Sequence, residues 1–270
     1  MEPAERIEAP LEVIEFLALS PNRVRVLDAL TEGPIGRYEL EETTGVARAT
    51  LGRILDDFEE RGWIVEDDRE YQTNQVGAYV ARALATALER FEPVPALSEV
   101  AEWFPEEGFG FDLGHLAGAE VVRSTKSNAL APTAHIARRI RDADSVRLIT
   151  YSVLPSVMEA CWRGAVERGL ELEGVLDGDA LEGFGTDPQM LEQAQEMFEA
   201  GRSEVYVYEG DIPSTVFVVD DVVLLCLSGG EGAPLAVIET DDDEVREWAE
   251  SRIEDLRSEG ERLDPSLFTG

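Results

Sequence analysis

The segment 20–73 constrains the fold of this chain most strongly. A helical pattern begins after Ser20, stops at Gly33-Pro34, and is followed by two further helical patterns with Gly45 between them. Ser20 can cap a helix, Pro21 suits a first helical position, and glycine suits the left-handed residue after a helix. Two short strand-like runs complete the segment. The order predicts a helix-turn-helix followed by a wing.

The second helix of this pair is predicted to run from about Ala47 to Arg61. Its apolar residues recur at helical spacing and should face the core: Leu51, Ile54, Leu55 and Phe58. The other face of its N-terminal half holds Arg48, Ala49, Gly52 and Arg53, whereas four acids occupy the C-terminal half: Asp56, Asp57, Glu59 and Glu60. The N-terminal residues of a recognition helix reach base edges, where arginine binds guanine and a small apolar group meets a thymine methyl. Spacing alone equally allows solvated arginines.

A family resemblance favours the DNA-binding interpretation. The string NRVRVLDALTEGPIGRYELEETTGVARATLGRILDDFEERGWIV, followed by YQTNQVG, resembles the archaeal winged-helix transcriptional regulators near the MarR and TrmB families. The resemblance implies DNA contacts from the start of the recognition helix and the wing tip. The predicted DNA-binding residues are Arg37, Arg48, Ala49, Thr50, Gly52, Arg53 and Arg69. Two features depart from the family: Ala47 and Ala49 stand where serine is frequent, and the wing is acidic apart from Arg69.

The charge of the chain is extreme for a DNA-binding protein. It has 57 acidic and 23 basic residues, a formal net charge of -34, and Lys126 is the only lysine. This pattern resembles the proteins of salt-accumulating haloarchaea. Molar salt shortens the Debye length to about 3 Å, so acids elsewhere on the surface are screened from a local contact. A mesophilic protein with a dedicated cationic ligand is the alternative.

A long helix is predicted to connect two domains. From Val76 to Phe91 the apolar positions form a continuous helical stripe that ends at EPVPA, and a shorter helix is expected from about Leu97 to Trp103. The stripe predicts a homodimer on a pseudo-palindromic operator, with packing against the chain's own C-terminal domain as the alternative. The predicted domains are 1–75, a winged helix-turn-helix; 76–104, connecting and dimerisation helices; and 105–270, a sensor domain.

The C-terminal part alternates between strand and helix patterns. Parallel strand-helix units come first, and four short strands with a hairpin through Asp220-Asp221 follow, before a last amphipathic helix. The predicted class is α+β overall, with an α/β C-terminal domain. The strings WFPEEGFGFDLGHLAGAEVV and ITYSVLPSVMEACWRGAVERGLELEGVLD resemble the sensor domain of the methanogenesis-regulatory family. The alternation of strands and helices also resembles a degenerate phospholipase-D-like fold.

The motifs of catalysis are missing from the sequence. Phospholipase-D chemistry needs a histidine followed two residues later by lysine, but alanine stands two residues after both His115 and His135. There is no phosphate-binding Gly-x-x-x-x-Gly-Lys loop, no Gly-x-Ser-x-Gly elbow and no spaced metal cluster. The chain is therefore predicted to be no enzyme, with no cofactor and no metal.

A sensor domain should bind its effector where parallel strands end. The predicted effector-binding residues are Arg123, Lys126, His135, Thr150, Tyr151, Ser152 and Asp177. Helix capping is the alternative for the uncharged ones and Asp177, and pairing with surface carboxylates for the basic ones. Cys161 and Cys226 are predicted to be buried, with a redox-responsive pair as the alternative.

The N-terminus lacks the basic and apolar pattern of a secretion signal, and no stretch approaches the roughly 20 apolar residues of a membrane span. A cytoplasmic location without membrane contact is expected. The sequence thus predicts a sequence-specific, DNA-binding transcriptional regulator that recognises double-stranded DNA and whose C-terminal domain senses a small molecule or partner. A winged-helix protein-interaction module and a redox-responsive regulator are the alternatives.

Overall fold

The computed structural model describes residues 5–229 and 232–264. The chain divides into two compact units between Glu89 and Arg90. This division falls inside one helix, whereas the predicted domains 1–75, 76–104 and 105–270 separate that helix from both units. The three-part division stays a prediction, and the two units are described separately below.

The N-terminal unit contains the predicted order of helices and strands. Its elements are α1 (Glu5–Ala18), α2 (Pro21–Ala29), β1 (Ile35–Gly36), α3 (Arg37–Thr44), α4 (Arg48–Glu60), β2 (Ile64–Asp67), β3 (Glu70–Thr73) and α5 (Gln75–Phe91). Pro21 occupies the first turn of α2, and Gly45 ends α3 in the left-handed conformation with φ of 67°. The strands form an antiparallel sheet in the order β1-β3-β2. The helix-turn-helix and wing that the sequence predicts are present.

One hydrophobic core holds this unit together. The predicted inward residues of α4 are all buried, and they pack with residues from the other helices and from the wing. Phe58 lies at its centre, with its ring centroid 5.7 Å from that of Trp63 and 6.1 Å from that of Phe16. The guanidinium groups of Arg23 and Arg61 lie 3.9 and 3.8 Å from the centroid of Phe16, so these two arginines are structural. Burial of this aromatic cluster fixes α4 against the wing.

The C-terminal unit is built around a mixed sheet. Its helices are α6 (Val94–Ser98), α7 (Ala131–Arg141), α8 (Pro155–Arg163), α9 (Gly178–Thr186), α10 (Pro188–Glu199) and α11 (Asp243–Glu259). Its strands are β4 (Glu120–Arg123), β5 (Ser145–Thr150), β6 (Glu171–Leu176), β7 (Ser203–Val207), β8 (Val216–Val219), β9 (Val222–Leu227), β10 (Ala236–Thr240) and β11 (Glu261–Arg262). Short 3-10 turns span Ala101–Trp103 and Leu113–Leu116, and α8 continues into a π-helical turn, Gly164–Arg168.

Within the described residues the sheet has the order β11-β7-β6-β5-β8-β9-β10-β4. Strands β5, β6 and β7 are mutually parallel, and the remaining neighbours are antiparallel. The predicted sequence of parallel units followed by an antiparallel portion is therefore confirmed. The predicted hairpin joins β8 to β9, where Asp220 takes a positive φ of 51°.

Each face of this sheet is covered by its own apolar core. Residues of α7, α8 and α10 pack on one face, and α6 and α11 pack on the other. The strands next to both layers are buried along most of their length, which is why their sequences are runs of Val, Ile and Leu instead of alternating patterns. The unit is a three-layer α/β structure.

One predicted helix differs from the structure, and one helix of the structure was not predicted. The expected helix from Leu97 to Trp103 is replaced by α6 and a 3-10 turn, because Pro95 sits in the first turn of α6, where proline is tolerated. Helix α9 has no counterpart among the predicted elements. Its sequence contains three glycines, and Asp177 begins it by accepting a hydrogen bond from the backbone of Ala180.

No helix among the described residues combines the length and the apolar content that crossing a bilayer requires.

Candidate functional site

The N-terminal end of α4 presents a distinct surface. Arg48, Ala49, Thr50 and Arg53 are exposed and Gly52 is half-buried, while the opposite face of the helix lies in the core. Arg48 and Arg53 form no ion pair with any residue in the described ranges, in contrast to Arg23, whose guanidinium lies 2.9 Å from the Asp57 carboxylate. Two arginines without an ion-pair partner among the described residues therefore project from one end of an otherwise acidic helix.

The start of α4 also leaves backbone donors available. Ala47 precedes the helix and provides no side-chain cap, and no acid stands in the first turn. The first N–H groups of a helix have no intrahelical acceptor, and the helix dipole makes this end positive. Alanine in place of serine at 47 and 49 thus removes two hydroxyls, but it leaves a helix end suited to an anion such as a phosphate.

The other two predicted cations of this unit have different surroundings. Arg69 lies at the tip of the β2–β3 hairpin, where it and Asp68 take positive φ values of 69° and 47°. Arg37 begins α3 and is half-buried, with its guanidinium 5.7 Å from the Tyr71 ring and its Nε buried without a hydrogen-bond partner among the described residues. Arg69 is exposed at the wing tip among acids, whereas Arg37 packs against the wing.

Three of the predicted effector-binding residues lie together. Thr150 is the last residue of β5, Tyr151 and Ser152 follow it, and all three line a cavity inside the C-terminal unit. The Thr150 hydroxyl donates to the backbone carbonyl of Ser152 at 2.7 Å and lies 2.9 Å from the Thr215 hydroxyl. The Tyr151 hydroxyl pairs with that of Ser228, and burial raises the pKa of the Tyr151 phenol. These hydrogen bonds hold the loop after β5 at the edge of the cavity.

The other predicted effector-binding residues do not line this cavity. Asp177 caps α9, Arg123 pairs with Glu99 at 3.0 Å, and Lys126 is exposed in a short turn. His135 is buried on α7, where its Nε2 lies 2.6 Å from a Glu239 carboxylate oxygen. Asp177, Arg123 and His135 therefore bind neighbouring groups of the protein, and Lys126 is in contact with solvent.

The surroundings of His135 form a buried polar cluster. Glu239 accepts hydrogen bonds from His135 and from the guanidinium of Arg139, and Arg138 donates to Nδ1 of His135 at 2.7 Å. Burial alone would raise the pKa of Glu239, but the hydrogen bonds from Arg139 and His135 outweigh it and lower the pKa. With Glu120, His135 and Glu239 could surround one metal ion. The positive charge of the Arg139 guanidinium already balances the Glu239 carboxylate, as a metal ion would. The cluster is therefore an ion-paired link between α7 and β10.

The two cysteines are buried, as predicted, and both have free thiols. Burial raises the pKa of the Cys161 thiol to about 12 and also raises that of Cys226. The thiolate is the species that reacts with oxidants, so burial of this kind disfavours a redox-responsive pair. Both side chains line the same cavity as Thr150.

The sequence predicts the loop at the edge of the cavity as a binding site, but it does not indicate the residues that form the walls of the cavity. Met158, Gly174, Met197 and Ser203 all line it, and none was singled out from the sequence. One signal was present: Gly174 interrupts the strand-forming run of β6, and a glycine inside a strand often marks the close approach of another group.

Comparison with known families places both parts of the chain. Residues 11–94 match the HVO_A0261 N-terminal domain, and residues 129–259 match the middle domain of the methanogenesis regulatory protein FilR1. The chain thus combines a domain of the HVO_A0261 family with a domain of the FilR1 family. The predicted resemblance of both domains is thereby confirmed. No curated protein matches the sequence of this chain.

Several solved structures are similar to the chain at low sequence identity. The archaeal chromatin protein TrmBL2 is 16% identical over 93% of this chain and 99% of its own, with a TM-score of 0.39. The phospholipase D family member Nuc from Salmonella typhimurium is 18% identical over 54% of this chain and 97% of its own, at 0.42. NucT from Helicobacter pylori is 15% identical over 54% and 98%, at 0.41. At such scores none of these structures indicates what the chain binds.

Proposed function

We propose that the chain is a sequence-specific DNA-binding transcriptional regulator that reads its operator with the N-terminal end of α4. The observation that carries the proposal is the pair of exposed arginines, Arg48 and Arg53, which have no ion-pair partner among the described residues. Arginine can bond the O6 and N7 atoms of guanine in the major groove. Ala49 and Gly52 beside them leave room for close approach to the bases, and the uncapped start of the helix suits a phosphate.

The charge of the chain determines how this binding should work. With a net charge of -34, a broad basic footprint is not available. The release of counterions that usually drives phosphate binding also shrinks as the salt concentration rises. We therefore expect close base and shape contacts from the start of α4 to provide most of the affinity. Arg37 and Arg69 contribute at the edge of this contact surface.

The test is to map bound DNA across the genome with the tagged, full-length chain in its native host. We expect discrete enriched sites that share a two-fold symmetric motif, and the purified chain should bind that motif in molar KCl. An absence of enrichment over an untagged strain, with proteins recovered instead of DNA, would overturn the proposal. That result would favour a winged-helix protein-interaction module.

A homodimer is part of the proposal. Helix α5 packs Val80, Ala81 and Leu84 against the core of the N-terminal unit. Val76, Tyr79 and Ala83 remain exposed at a spacing of three and four residues, so they form a stripe along α5. We infer that a second copy covers the stripe, because α5 has one acid, Glu89, among its 17 residues, whereas the chain as a whole is coated with acids.

Replacing Tyr79 by glutamate is expected to convert the dimer to single chains, because the substitution places a charge inside the apolar contact. Light scattering in molar KCl should give about twice 29.8 kDa for the wild type and about 29.8 kDa for the variant. Ala85→Glu is the control, since it adds the same charge to another exposed position of α5. A wild-type mass of a single chain would contradict the dimer.

The C-terminal unit is proposed to act as the sensor. Its cavity at the ends of β5 and β6, edged by Thr150, Tyr151 and Ser152, supports a small molecule over a protein partner as the effector. Ligands in α/β sheets commonly bind near the carboxyl ends of the strands. Binding there would change the DNA affinity of the N-terminal unit.

A further inference from the structure

The cavity of the C-terminal unit lies between one face of the sheet and two helices. Leu148, Gly174 and Val205 stand side by side on neighbouring strands β5, β6 and β7, and all three line it. Cys161 of α8 and Met197 of α10 line the opposite side. Because side chains alternate along a strand, this row belongs to a single face of the sheet. The cavity is therefore part of the layer between sheet and helices.

The cavity is long and narrow. Thr150 lines it at one end and Ser203 at the other. Ser203 pairs with Leu172, and Leu172 pairs with Val146, which lies four residues before Thr150. At 3.3 Å per residue the two ends are separated by about 13 Å along the strands. The cavity volume is about 80 Å³. At roughly 10–15 Å³ for each water-sized site, it has room for about five to eight non-hydrogen atoms.

Gly174 keeps the middle of the cavity open. A Cβ added at Gly174 would lie 3.7 Å from Cγ of Leu148, which is an ordinary contact distance. An alanine would thus fit without strain, so the backbone does not require glycine here. The missing side chain instead leaves space in front of β6. Glycine in a strand interior often marks such a place of close approach.

The walls define the chemistry of a ligand. Apart from hydroxyls and backbone groups the lining is apolar, and none of the described residues that form it is charged. A charged ligand would lose its hydration without finding a countercharge. The Ser203 side chain is buried, and its Oγ has no hydrogen-bond partner in the described part of the chain. Buried polar atoms in native structures are almost always paired, so this hydroxyl is suited to a ligand.

We propose that this cavity binds a small, neutral and mostly apolar molecule whose hydroxyl or carbonyl group hydrogen-bonds to Ser203. Its apolar part lies in front of Gly174, between β6 and the helices α8 and α10. The size is that of phenol or a six-carbon alcohol. The role of this molecule as the effector rests on the proposed function, but its binding does not. The half-buried loop from Tyr151 to Leu154, at the other end, is the route of entry.

Binding is tested on the full-length chain in molar KCl with hexanol and phenol as probes and with hexanoate and hexylammonium as charged comparators. Calorimetry and the thermal transition give the readouts. We expect the neutral probes to bind with dissociation constants of about a millimolar or lower and to raise the transition, and the charged comparators to do neither. Equal binding of hexanol and hexanoate, or no binding of either neutral probe, would overturn the proposal.

Substitutions at Gly174 test whether the probe binds in the cavity. Gly174→Ala should weaken hexanol binding severalfold and Gly174→Val should abolish it, because the new side chain takes the ligand's space. Gly178→Ala adds the same methyl where nothing lies within 4 Å, and it should change nothing. Should Gly174→Val fail to fold, Gly174→Ala still decides the question. Unchanged binding to Gly174→Ala would contradict the assigned position.

Ser203→Ala tests the hydrogen bond. Removing one hydroxyl partner should weaken hexanol about fivefold, whereas the exposed Ser156→Ala should have no effect. Failure of this proposal and failure of the proposed function give different results. If the probes bind but no genomic sites are found, the cavity assignment stands and DNA recognition fails. If operator binding is found but neither neutral probe binds, DNA recognition stands and the cavity assignment fails.

Discussion

Replacing Arg48 and Arg53 together by alanine is expected to lower the affinity for the mapped operator at least about thirtyfold in molar KCl. Each good bidentate contact between arginine and guanine is worth about 1–3 kcal/mol of discrimination, and the two add when they act at separate base pairs. Fluorescence anisotropy with the operator and a scrambled duplex measures the change. The loss should be larger for the operator than for the scrambled DNA, because base contacts carry specificity.

The same double variant should leave the thermal transition nearly unchanged. Both arginines are exposed and make no ion pair within the described chain, so their removal leaves no buried group unpaired. Arg141 and Arg163 provide a matched control, since they are exposed arginines on helices of the other unit. Their double replacement changes the net charge equally and should keep operator affinity. An equal loss in both double variants would mean that net charge, and not the end of α4, governs binding.

Replacing Gly77 by alanine is expected to destabilise the N-terminal unit by about 3 kcal/mol or more. An added Cβ would lie 2.0 Å from the backbone oxygen of Trp63, and a backbone atom cannot move aside as a side chain can. Gly77 is in the first turns of α5, so the start of this helix would be pushed away from the wing. Denaturant unfolding followed by tryptophan fluorescence measures the loss. The Trp63→Phe variant gives the signal of the three other tryptophans, so that the contribution of Trp63 can be obtained by difference.

Gly52→Ala is the matched comparison for this prediction. Gly52 is also inside a helix, but nothing lies within 4 Å of the position of its Cβ. Alanine there should stabilise the unit by roughly 0.5–1 kcal/mol through its better helix propensity. If DNA approaches Gly52 closely, the same variant should weaken operator binding while it gains stability. Equal effects of the two substitutions on stability would refute the contact between α5 and the wing.

The two glycines show how far sequence reasoning reaches. Propensity treats both as weak points of a helix, and nothing near them in the sequence distinguishes them. The distinction comes from Trp63, which lies 14 positions before Gly77 and approaches it only after the wing has formed. The predicted helix from Leu97 to Trp103 is wrong for a local reason: Pro95, within the EPVPA helix stop, lies in the first turn of α6, where proline favours a helix start.

Local signals determined the architecture of this protein. The 3.6-residue spacing of apolar residues, Pro21 and Gly45 specify the helix-turn-helix and its buried face, because these preferences act within a few residues of the chain. The same signals placed the two arginines on the exposed end of α4. The strand and helix patterns likewise predicted a parallel portion followed by an antiparallel one.

Only the tertiary structure decided the interior of the C-terminal unit. It paired His135 with Glu239, 104 positions later, and it formed a cavity from strands and helices that are distant in sequence. Periodicity states which face of an element is buried, but it does not state which partner fills the space in front of it. A cavity is the space that packed side chains fail to fill, so it depends on the volumes of all of them together. The open space before Gly174 arises from that packing, and so does the position of the Ser203 hydroxyl, which has no hydrogen-bond partner in the described part of the chain.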